Sequence, residues 1–282
     1  MSDSITLISG CSSGIGLHSA IACAKAGHTV VATMRRLDKA RELTEAATAA
    51  GVEIELEPLD ITDPDSIDAC VGAVLERHGR IDALVNNAGS SYVGTLEQTS
   101  AEILGQVMDV NFTGHAQLTR AVLPSMRSQG SGSILSITSV GGVVGQPFND
   151  AYCAAKFATE GLMESLAPVA KTFGINVTLL EPGPVASEFV SNITKLVDER
   201  LAATGDPYHA LFSSYVERTK GAFANAQHPD EIAEAVVSIL ADPAPAFRNQ
   251  SSSRATAFAA MKLSDLDGST VQSATSSWIT PT

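Results

Sequence analysis

The chain has 282 residues, of which 44% are hydrophobic and 17% are charged, a composition that predicts a folded globular protein and excludes a disordered one. Its 31 acidic and 18 basic side chains give a formal net charge of −13, which disfavours partners such as nucleic acid and anionic lipid surfaces. No segment has the roughly 20 uninterrupted apolar residues of a membrane span, and the four cysteines lack metal-ligand spacing. We therefore expect a cytoplasmic protein with no membrane span and no bound metal.

Strand-like and helix-like segments alternate along the first two thirds of the chain. The β-prone run SITLIS is followed by a Gly/Ser-rich turn and a helical segment that closes at Gly27. Further strands are predicted at HTVVATM, VEIELEPLD, DALVNNAG, GSILSITS and INVTLLEPG, with helices at residues 37–51, 64–78, 100–128 and 152–173. Six such units in series predict an α/β fold: a doubly wound, Rossmann-type parallel sheet with helices on both faces.

The last third of the chain departs from this alternation. Residues 187–226 have a helical pattern with several aromatic side chains, which predicts a helical lid over a substrate. A helix at Pro229–Ala241 is followed by a Pro/Ala/Ser-rich piece, in which AFRNQ is the predicted last edge strand. Since no linker or repeat interrupts the series, we expect a single domain over residues 1–282, ending in a weakly ordered Ser/Thr-rich tail.

The loop SGCSSGIG places three glycines, Gly10, Gly14 and Gly16, between the first strand and its helix. Glycines let the backbone turn sharply and let a pyrophosphate approach the helix N-terminus, where free N–H groups favour anions. Ser12 and Ser13 add hydroxyl groups that can contact a phosphate or a ribose. A structural turn without a ligand competes with this interpretation as long as the glycine spacing is considered alone.

The ends of the second and third strands indicate which dinucleotide binds. In ATMRR no acid stands where a free ribose 2′-hydroxyl is bound, and Arg35 follows directly, which favours NADP over the weaker alternative NAD. The competing interpretation is that Arg35 and Arg36 only solvate the start of a helix. Asp60 is predicted either to accept a hydrogen bond from the adenine amine or to cap the helix that begins near Pro64.

Polar side chains also end the fourth and fifth strands. In NNAG, residues 86–89, the two amides must be hydrogen-bonded if buried, so we expect them to tie strands together while Ala88 and Gly89 leave room for a ribose. Ser139 ends the fifth strand, at the sheet edge where ligands of such folds bind. The sequence therefore places a hydroxyl group in the predicted crevice.

A tyrosine and a lysine share one helical face in DAYCAAKFATEG. Tyr152 and Lys156 are four residues apart, so the ring and the ammonium can meet. A nearby cation lowers the pKa of a phenol and makes it usable as an acid or base, whereas the alternative is an ordinary packing pair. Because the helix starts beside the crevice, Ser139, Tyr152 and Lys156 are predicted to converge on one point.

Taken together, these residues resemble the classical form of the short-chain dehydrogenase/reductase family. The resemblance covers roughly the first 190 residues. Its motifs occur in the expected order: the glycine loop, Asp60, NNAG, Asn111 in a helix, Ser139, Tyr152 with Lys156, and PGPV at residues 182–185. Ser9 stands where the family usually has threonine, which keeps the hydroxyl group.

The resemblance implies a catalytic role for four residues. Tyr152 would be the general acid/base, and Ser139 would hold the substrate oxygen. Lys156, together with the positive nicotinamide, would lower the pKa of Tyr152, and it would also bind the nicotinamide ribose. Asn111 would support a water chain to Lys156, with a helix-bending or buried structural amide as the alternative. Further implied cofactor contacts are Ile15, Ile61, Asn87, Ala88, Gly89, Pro182, Gly183 and Val185, and Ser187 takes the place of a frequent threonine.

Within the family, the segments GCSSGIGLH, ATMRR and EPGPVASEF are similar to the branch of 17β-hydroxysteroid and retinol dehydrogenases. This implies a hydrophobic secondary alcohol or ketone as substrate, in particular a steroid 17β-hydroxyl, as in estradiol/estrone or testosterone/androstenedione. Residues 189–223 are apolar enough to cover a flat ligand, and equally apolar enough for ordinary helix packing. The alternatives are a retinol or other lipid or xenobiotic carbonyl reductase and a non-catalytic NADP-binding regulator. The family also implies a homodimer or homotetramer.

Overall fold

The computed structural model describes residues 4–186, 194–223 and 225–264. Seven strands in this part form one sheet in the order β3-β2-β1-β4-β5-β6-β7, with every neighbouring pair parallel. The strands are β1 (Ile5–Ile8), β2 (Thr29–Met34), β3 (Glu55–Pro58), β4 (Ala83–Asn86), β5 (Gly132–Ile137), β6 (Ile175–Glu181) and β7 (Arg248–Gln250). The strand order reverses between β1 and β4, so a crevice opens at the carboxyl ends of these two strands.

Helices cover both faces of the sheet and confirm the predicted doubly wound architecture. They are α1 (Gly14–Lys25), α2 (Arg41–Ala50), α3 (Pro64–His78), α4 (Ala101–Met108), α5 (Gly114–Gln129), α6 (Asp150–Lys171), α7 (Thr194–Ala202), α8 (His209–Phe223), α9 (Pro229–Ala241) and α10 (Ser253–Leu263). None of the helices in the described ranges is long and apolar enough to span a bilayer.

Two apolar clusters, one on each face, hold the helices against the sheet. Ile67 of α3, Leu118 of α5 and Met163 of α6 belong to the first cluster. Leu17 of α1 and Ile232 of α9 belong to the second. Because both faces are covered, the central strands β1 and β4 are completely buried, which explains why they occur as short apolar runs in place of alternating patterns.

The helix predicted over residues 100–128 is divided in two. A π-helical segment, Asp109–Thr113, separates α4 from α5. Asn111 lies within it: its side-chain Nδ2 donates to the carbonyl of Val107 at 3.0 Å, and its own carbonyl accepts from the Thr159 hydroxyl at 2.9 Å. Since both groups are engaged outside the regular helical ladder, the helix widens at this residue.

The end of the chain shows both a confirmed and a missed element. The predicted edge strand is present as β7, paired with β6. Helix α10 was not predicted, because its neighbourhood is rich in Pro and Ser. It begins after Ser252, whose hydroxyl accepts from the Ala255 N–H at 3.2 Å. The predictions for Ser187, for Phe189 and for the tail after residue 264 fall outside the described residues.

Candidate active site

A cleft of about 1170 Å³ lies at the carboxyl ends of the strands. All the cofactor-binding residues that the sequence predicts contribute to its lining: Gly10, Ser12, Ser13, Gly14, Ile15, Gly16, Arg35, Asp60, Ile61, Asn87, Ala88, Gly89, Tyr152, Lys156, Pro182, Gly183 and Val185. Ser139 lines the cleft as well. Asn111 is the exception among the predicted site residues, because it is completely buried beneath the lining.

The glycine loop has no space for side chains at two of its positions. Gly10 has φ +75°, and a Cβ there would lie 2.7 Å from the Ala88 Cα. A Cβ on Gly16 would lie 2.2 Å from the Gly10 carbonyl oxygen. The N-cap of α1, Ser13, makes no side-chain capping bond, and the first turn of the helix carries no acid. This loop therefore fits a phosphate group held by backbone N–H groups at the N-terminus of α1.

Hydrogen bonds join the glycine loop to the NNAG segment. The Ser9 hydroxyl oxygen accepts from the N–H groups of Asn87 and Ala88, each at 3.0 Å. The Asn87 Nδ2 donates back to the carbonyls of Ser9 and Gly10 at 2.8 and 3.0 Å. Asn86 donates to side-chain hydroxyls on α5 and β5. The amides thus tie neighbouring strands together, as predicted, and serine supplies the hydroxyl that the family usually takes from threonine.

The two adjacent arginines after β2 have different environments. Arg36 forms an ion pair with Asp38, whereas the exposed Arg35 lines the cleft. Asp60 lines the cleft too, and its Oδ1 accepts from the N–H and the hydroxyl two residues further on, at 3.0 and 2.7 Å. The N-cap of α3 is Asp63. The alternative that Asp60 caps this helix is therefore wrong.

Ser139, Tyr152 and Lys156 converge as predicted. The hydroxyl groups of Tyr152 and Ser139 are hydrogen-bonded to each other, and the Ser139 oxygen also accepts from the Gly141 N–H at 3.0 Å. The Lys156 Nζ lies 5.8 Å from the centre of the Tyr152 ring and donates to the Ile137 carbonyl at 3.2 Å. The side chain of Lys156 is only 3% exposed, so its charge acts in a poorly solvated environment.

Burial dominates the proton equilibria of this group. It raises the pKa of Tyr152 above its ordinary value, against the opposing effect of the Ser139 hydrogen bond. It lowers the pKa of Lys156 to about 8, while the nearby Glu160 carboxylate acts in the opposite direction. Both shifts disfavour the charged form, as desolvation requires. In the polypeptide by itself, burial thus opposes the lowering of the Tyr152 pKa that the resemblance implies, and this lowering stays a prediction for the enzyme with its cofactor bound.

Asn111 has the contacts of a buried structural amide. Its Oδ1 accepts from the Ser90 N–H at 3.2 Å, and its Nδ2 donates to the Ser90 and Val107 carbonyls at 3.0 Å each. A Cβ on Gly89 would lie 3.1 Å from the Asn111 Oδ1 and 3.9 Å from the Lys156 Nζ. The side chain therefore shapes the wall next to Lys156, which agrees with the structural alternative for this residue.

His115 is a site-supporting residue that the sequence did not reveal. It is completely buried on α5, and its Nε2 lies 2.6 Å from the Ala88 carbonyl oxygen. Burial, with a further contribution from the charge of Lys156, lowers the pKa of His115 to about 3, so the ring is neutral at physiological pH. Since a carbonyl only accepts, Nε2 carries the proton. The sequence signal is a single histidine in an amphipathic helix, which does not distinguish this role from ordinary packing.

The side of the cleft formed by α8 and α10 is mainly apolar, although Arg218 and Arg254 also contribute to its lining. Phe212, Tyr215 and Val216 of α8 form a cluster with Val93 and Phe148. The Tyr215 hydroxyl, which accepts from the Asn149 Nδ2 at 2.7 Å, lines the cleft, as do two side chains of α10, Phe258 and Met261. In the described part of residues 189–223, Phe212 packs in the cluster while Tyr215 and Phe223 line the cleft, and the covering of a flat ligand stays a prediction. The contribution of α10 was missed together with the helix itself.

Comparison with known proteins places this site in a family. Residues 4–197 match the family model of the short chain dehydrogenases. The chain belongs to this family of oxidoreductases, whose members bind nicotinamide cofactors.

Three individual proteins illustrate the similarity. Human 17-beta-hydroxysteroid dehydrogenase type 1 is 40% identical over 276 residues, which cover 95% of this chain and 84% of that protein. Human retinol dehydrogenase 8 is 38% identical over 270 residues, which cover 93% of this chain and 86% of that protein. A crystal structure of an actinorhodin polyketide ketoreductase variant with NADPH superposes with a TM-score of 0.76 at 27% identity, covering 88% of this chain and 95% of that one.

Proposed function

We propose that this oxidoreductase transfers a hydride between NADP(H) and a hydrophobic secondary alcohol or ketone, with a steroid 17β-hydroxyl or 17-ketone as the preferred reacting group. The observation that carries the proposal is the hydrogen-bonded hydroxyl pair of Ser139 and Tyr152, placed above the buried Lys156 on the floor of a cleft with an apolar wall. The same hydroxyl pair supports an enzyme over a non-catalytic NADP-binding regulator, which needs no such pair.

Ser139, Tyr152 and Lys156, on the floor of the cleft, have separate roles in the proposed proton transfer. The nicotinamide, when bound, supplies or accepts the hydride, and a proton must move at the substrate oxygen to match it. Ser139 holds that oxygen, and Tyr152 gives up or takes the proton as general acid/base. Because burial alone raises the pKa of Tyr152, the phenol is protonated before reaction and suited to protonate a developing alkoxide. The cation of Lys156 favours the phenolate that then forms.

Arg35 and the glycine loop carry the proposed cofactor preference. The loop offers a cradle without side chains, and Arg35 lines the cleft at the end of β2, where Met34 stands in place of an acid. A guanidinium group at this position complements a ribose 2′-phosphate. The ketoreductase neighbour with NADPH supports the same choice. NAD lacks the 2′-phosphate and is the weaker alternative.

The apolar wall and the relatives support the proposed substrate class. Tyr215, Phe223, Phe258 and Met261 line the substrate side of the cleft, which suits a large ligand with few polar groups. Two relatives of similar identity are named for a 17β-hydroxysteroid and for retinol. We place the steroid first because the relative named for it has the higher identity, and retinol second.

A panel assay tests the proposal. The full chain is assayed with NADP and with NAD against estradiol, testosterone and retinol, in both directions, by following the absorbance of the reduced nicotinamide. We expect turnover of at least one steroid, with kcat/KM for NADP at least about tenfold above that for NAD, as expected when a charge-assisted hydrogen bond worth 1.5–3 kcal/mol is lost. Turnover of retinol and of neither steroid would replace the preferred substrate. Absence of any turnover that depends on Tyr152 would favour the regulator. Light scattering of the same sample tests the proposed homodimer or homotetramer.

A further inference from the structure

Three potential metal ligands meet where α1 packs against α9. His18 lies in the second turn of α1, His228 is the N-cap of α9, and Asp230 lies in its first turn. One ligand atom from each residue lies within 4.8 Å of the other two. None of the three lines the nucleotide and substrate cleft, so the cluster is separate from the proposed reaction.

The carboxylate of Asp230 lies between the two imidazole rings. One of its oxygens contacts the His18 Nδ1, and the other lies 3.0 Å from the His228 Nδ1. The Asp230 N–H points at the same His228 nitrogen, at 3.5 Å, as part of the helix cap. The carboxylate thus brings both Nδ1 atoms to one place. A cation shared by the three groups takes the place of the imidazole protons and uses the lone pairs of both nitrogens.

We propose that His18, His228 and Asp230 bind a divalent transition-metal ion of the Zn²⁺ type, with water completing a tetrahedral shell. Bonds of about 2.0–2.2 Å at tetrahedral angles separate neighbouring ligand atoms by about 3.3 Å. The three ligand atoms already lie within 4.8 Å of one another, so small side-chain rotations suffice. Two imidazole nitrogens select Zn²⁺, Ni²⁺ or Cu²⁺ and reject Mg²⁺ and Ca²⁺, which prefer oxygen ligands.

The position of the cluster gives the ion a structural role. Helix α1 begins at the glycine loop, and Gln227 precedes His228 directly. Gln227 exchanges two backbone hydrogen bonds of 2.9 Å with the segment around Val185, donating to the Pro184 carbonyl and accepting from the Ala186 N–H. The ion therefore joins α1, which begins at the glycine loop, to the start of α9. The residue before α9, Gln227, is in turn hydrogen-bonded to the end of the PGPV segment. Metal binding should raise the thermal stability of the folded protein, because the unfolded chain does not hold the three ligands together.

Metal titration of the tag-free, full-length chain tests this site. After removal of metal with a chelator and dialysis, Zn²⁺ is titrated by calorimetry and Co²⁺ by its visible absorption. We expect one ion per chain and a rise in Tm with Zn²⁺, but none with Mg²⁺. The variants His18→Gln and His228→Gln should each weaken Zn²⁺ binding at least about tenfold, since loss of a group that only supports a ligand already costs 10–100-fold.

The matched control is His78→Gln, because His78 pairs with an acid, Glu55, but has no second histidine beside it. It should bind Zn²⁺ like the unchanged chain. Thermal unfolding of each metal-free variant verifies that the fold is kept, which the 61% exposed side chain of His228 makes straightforward. Failure of the unchanged chain to bind Zn²⁺ overturns the proposal. Binding that survives both cluster substitutions also overturns it, because the ion would then lie elsewhere, for example on a cysteine. Neither readout depends on turnover, so the proposed reaction is tested separately.

Discussion

The two walls of the cleft are built on different principles. The nucleotide wall consists largely of backbone: Gly10 and Gly16 have no space for a Cβ, and Ser9 and Asn87 fix the loop with hydrogen bonds of 2.8–3.0 Å. The substrate wall consists mainly of apolar side chains on α8 and α10, such as Tyr215 and Phe258, which contribute shape with few directed bonds, and it also includes Arg218 and Arg254. Single substitutions in the nucleotide wall should therefore either abolish cofactor binding or leave it unchanged. Single substitutions in the substrate wall should change the affinity for substrate by graded amounts.

The largest effect is expected at the floor between the walls. Tyr152→Phe keeps the ring but removes the proposed general acid/base, and kcat should fall by about 10²–10⁴ while the Kd for NADP changes little. Tyr215→Phe is the matched control, because it removes a hydroxyl that lines the same cleft and accepts from Asn149 at 2.7 Å. It should change KM more than kcat. Steady-state kinetics and a cofactor titration measure both quantities. Unchanged kcat in Tyr152→Phe would remove this residue from the reaction.

The second effect sharpens the description of the substrate wall. Phe212 is 2% exposed, and its ring centre lies 5.1 Å from that of Phe148. Phe212→Ala should lower the free energy of unfolding by about 3–5 kcal/mol, the usual cost of truncating a buried aromatic residue. The KM for substrate should rise and the Kd for NADP should stay constant. Phe173→Ala, at a 44% exposed position, is the control and should stay within about 0.5 kcal/mol in urea unfolding. Equal losses of substrate and NADP affinity would show that the two walls are not independent.

The nucleotide wall was also the part that the sequence predicted well. Its glycines and strand-end amides carry their constraint in residue type and spacing, and so do Ser139, Tyr152 and Lys156 on the adjoining floor. The order of the strands then brings these residues together. Helices Pro64–His78 and Pro229–Ala241 were predicted to the residue. Each begins with a proline, preceded by Asp63 or His228, whose side chain accepts a hydrogen bond from the backbone of the first turn.

What the sequence could not predict depends on three-dimensional surroundings. Asn111 sits in a π-helical segment because Thr159 of α6 takes its carbonyl, a contact between residues 48 positions apart. The pKa of Tyr152 is set mainly by burial, which no local spacing encodes. Helix α10 contributes Phe258 and Met261 to the cleft, although no helix was predicted in this segment. These are properties of packing, and packing also determines the substrate.

A third, smaller effect tests the outer edge of the nucleotide wall. Arg35→Ala should raise the KM for NADP by about 10–100-fold, the cost of losing a charge-assisted hydrogen bond of 1.5–3 kcal/mol. The KM for NAD should change much less, since NAD has no 2′-phosphate. Arg36→Ala removes the same charge one residue away, where the guanidinium is paired with Asp38, and it serves as the control. Equal effects on NADP and NAD would remove the 2′-phosphate assignment from Arg35.

The smallest effect concerns the support behind the nucleotide wall. Burial lowers the pKa of His115 to about 3 from an ordinary value of 6.5, so the unfolded chain binds a proton between these two pH values and the folded chain does not. The stability that the neutral ring contributes is therefore complete above pH 6.5 and is lost as the pH falls towards 3. Between pH 7.5 and 5.5 the unchanged chain should lose about 1 kcal/mol more than His115→Gln, whose amide can still donate to the Ala88 carbonyl.

Urea unfolding of both proteins at the two pH values measures this difference. His28, whose pKa is also lowered by burial, is present in both chains and cancels. If His115→Gln shows the same pH dependence as the unchanged chain, the ring titrates normally, and the contact of its Nε2 with the Ala88 carbonyl at 2.6 Å does not persist in solution. If His115→Gln loses about 1 kcal/mol less stability than the unchanged chain between the two pH values and the KM for NADP stays constant, Ser9 and Asn87 alone hold the NNAG backbone rigidly enough. A rise in the KM for NADP would instead make His115 a positioning residue, which acts on the nucleotide wall through its hydrogen bond to the Ala88 carbonyl.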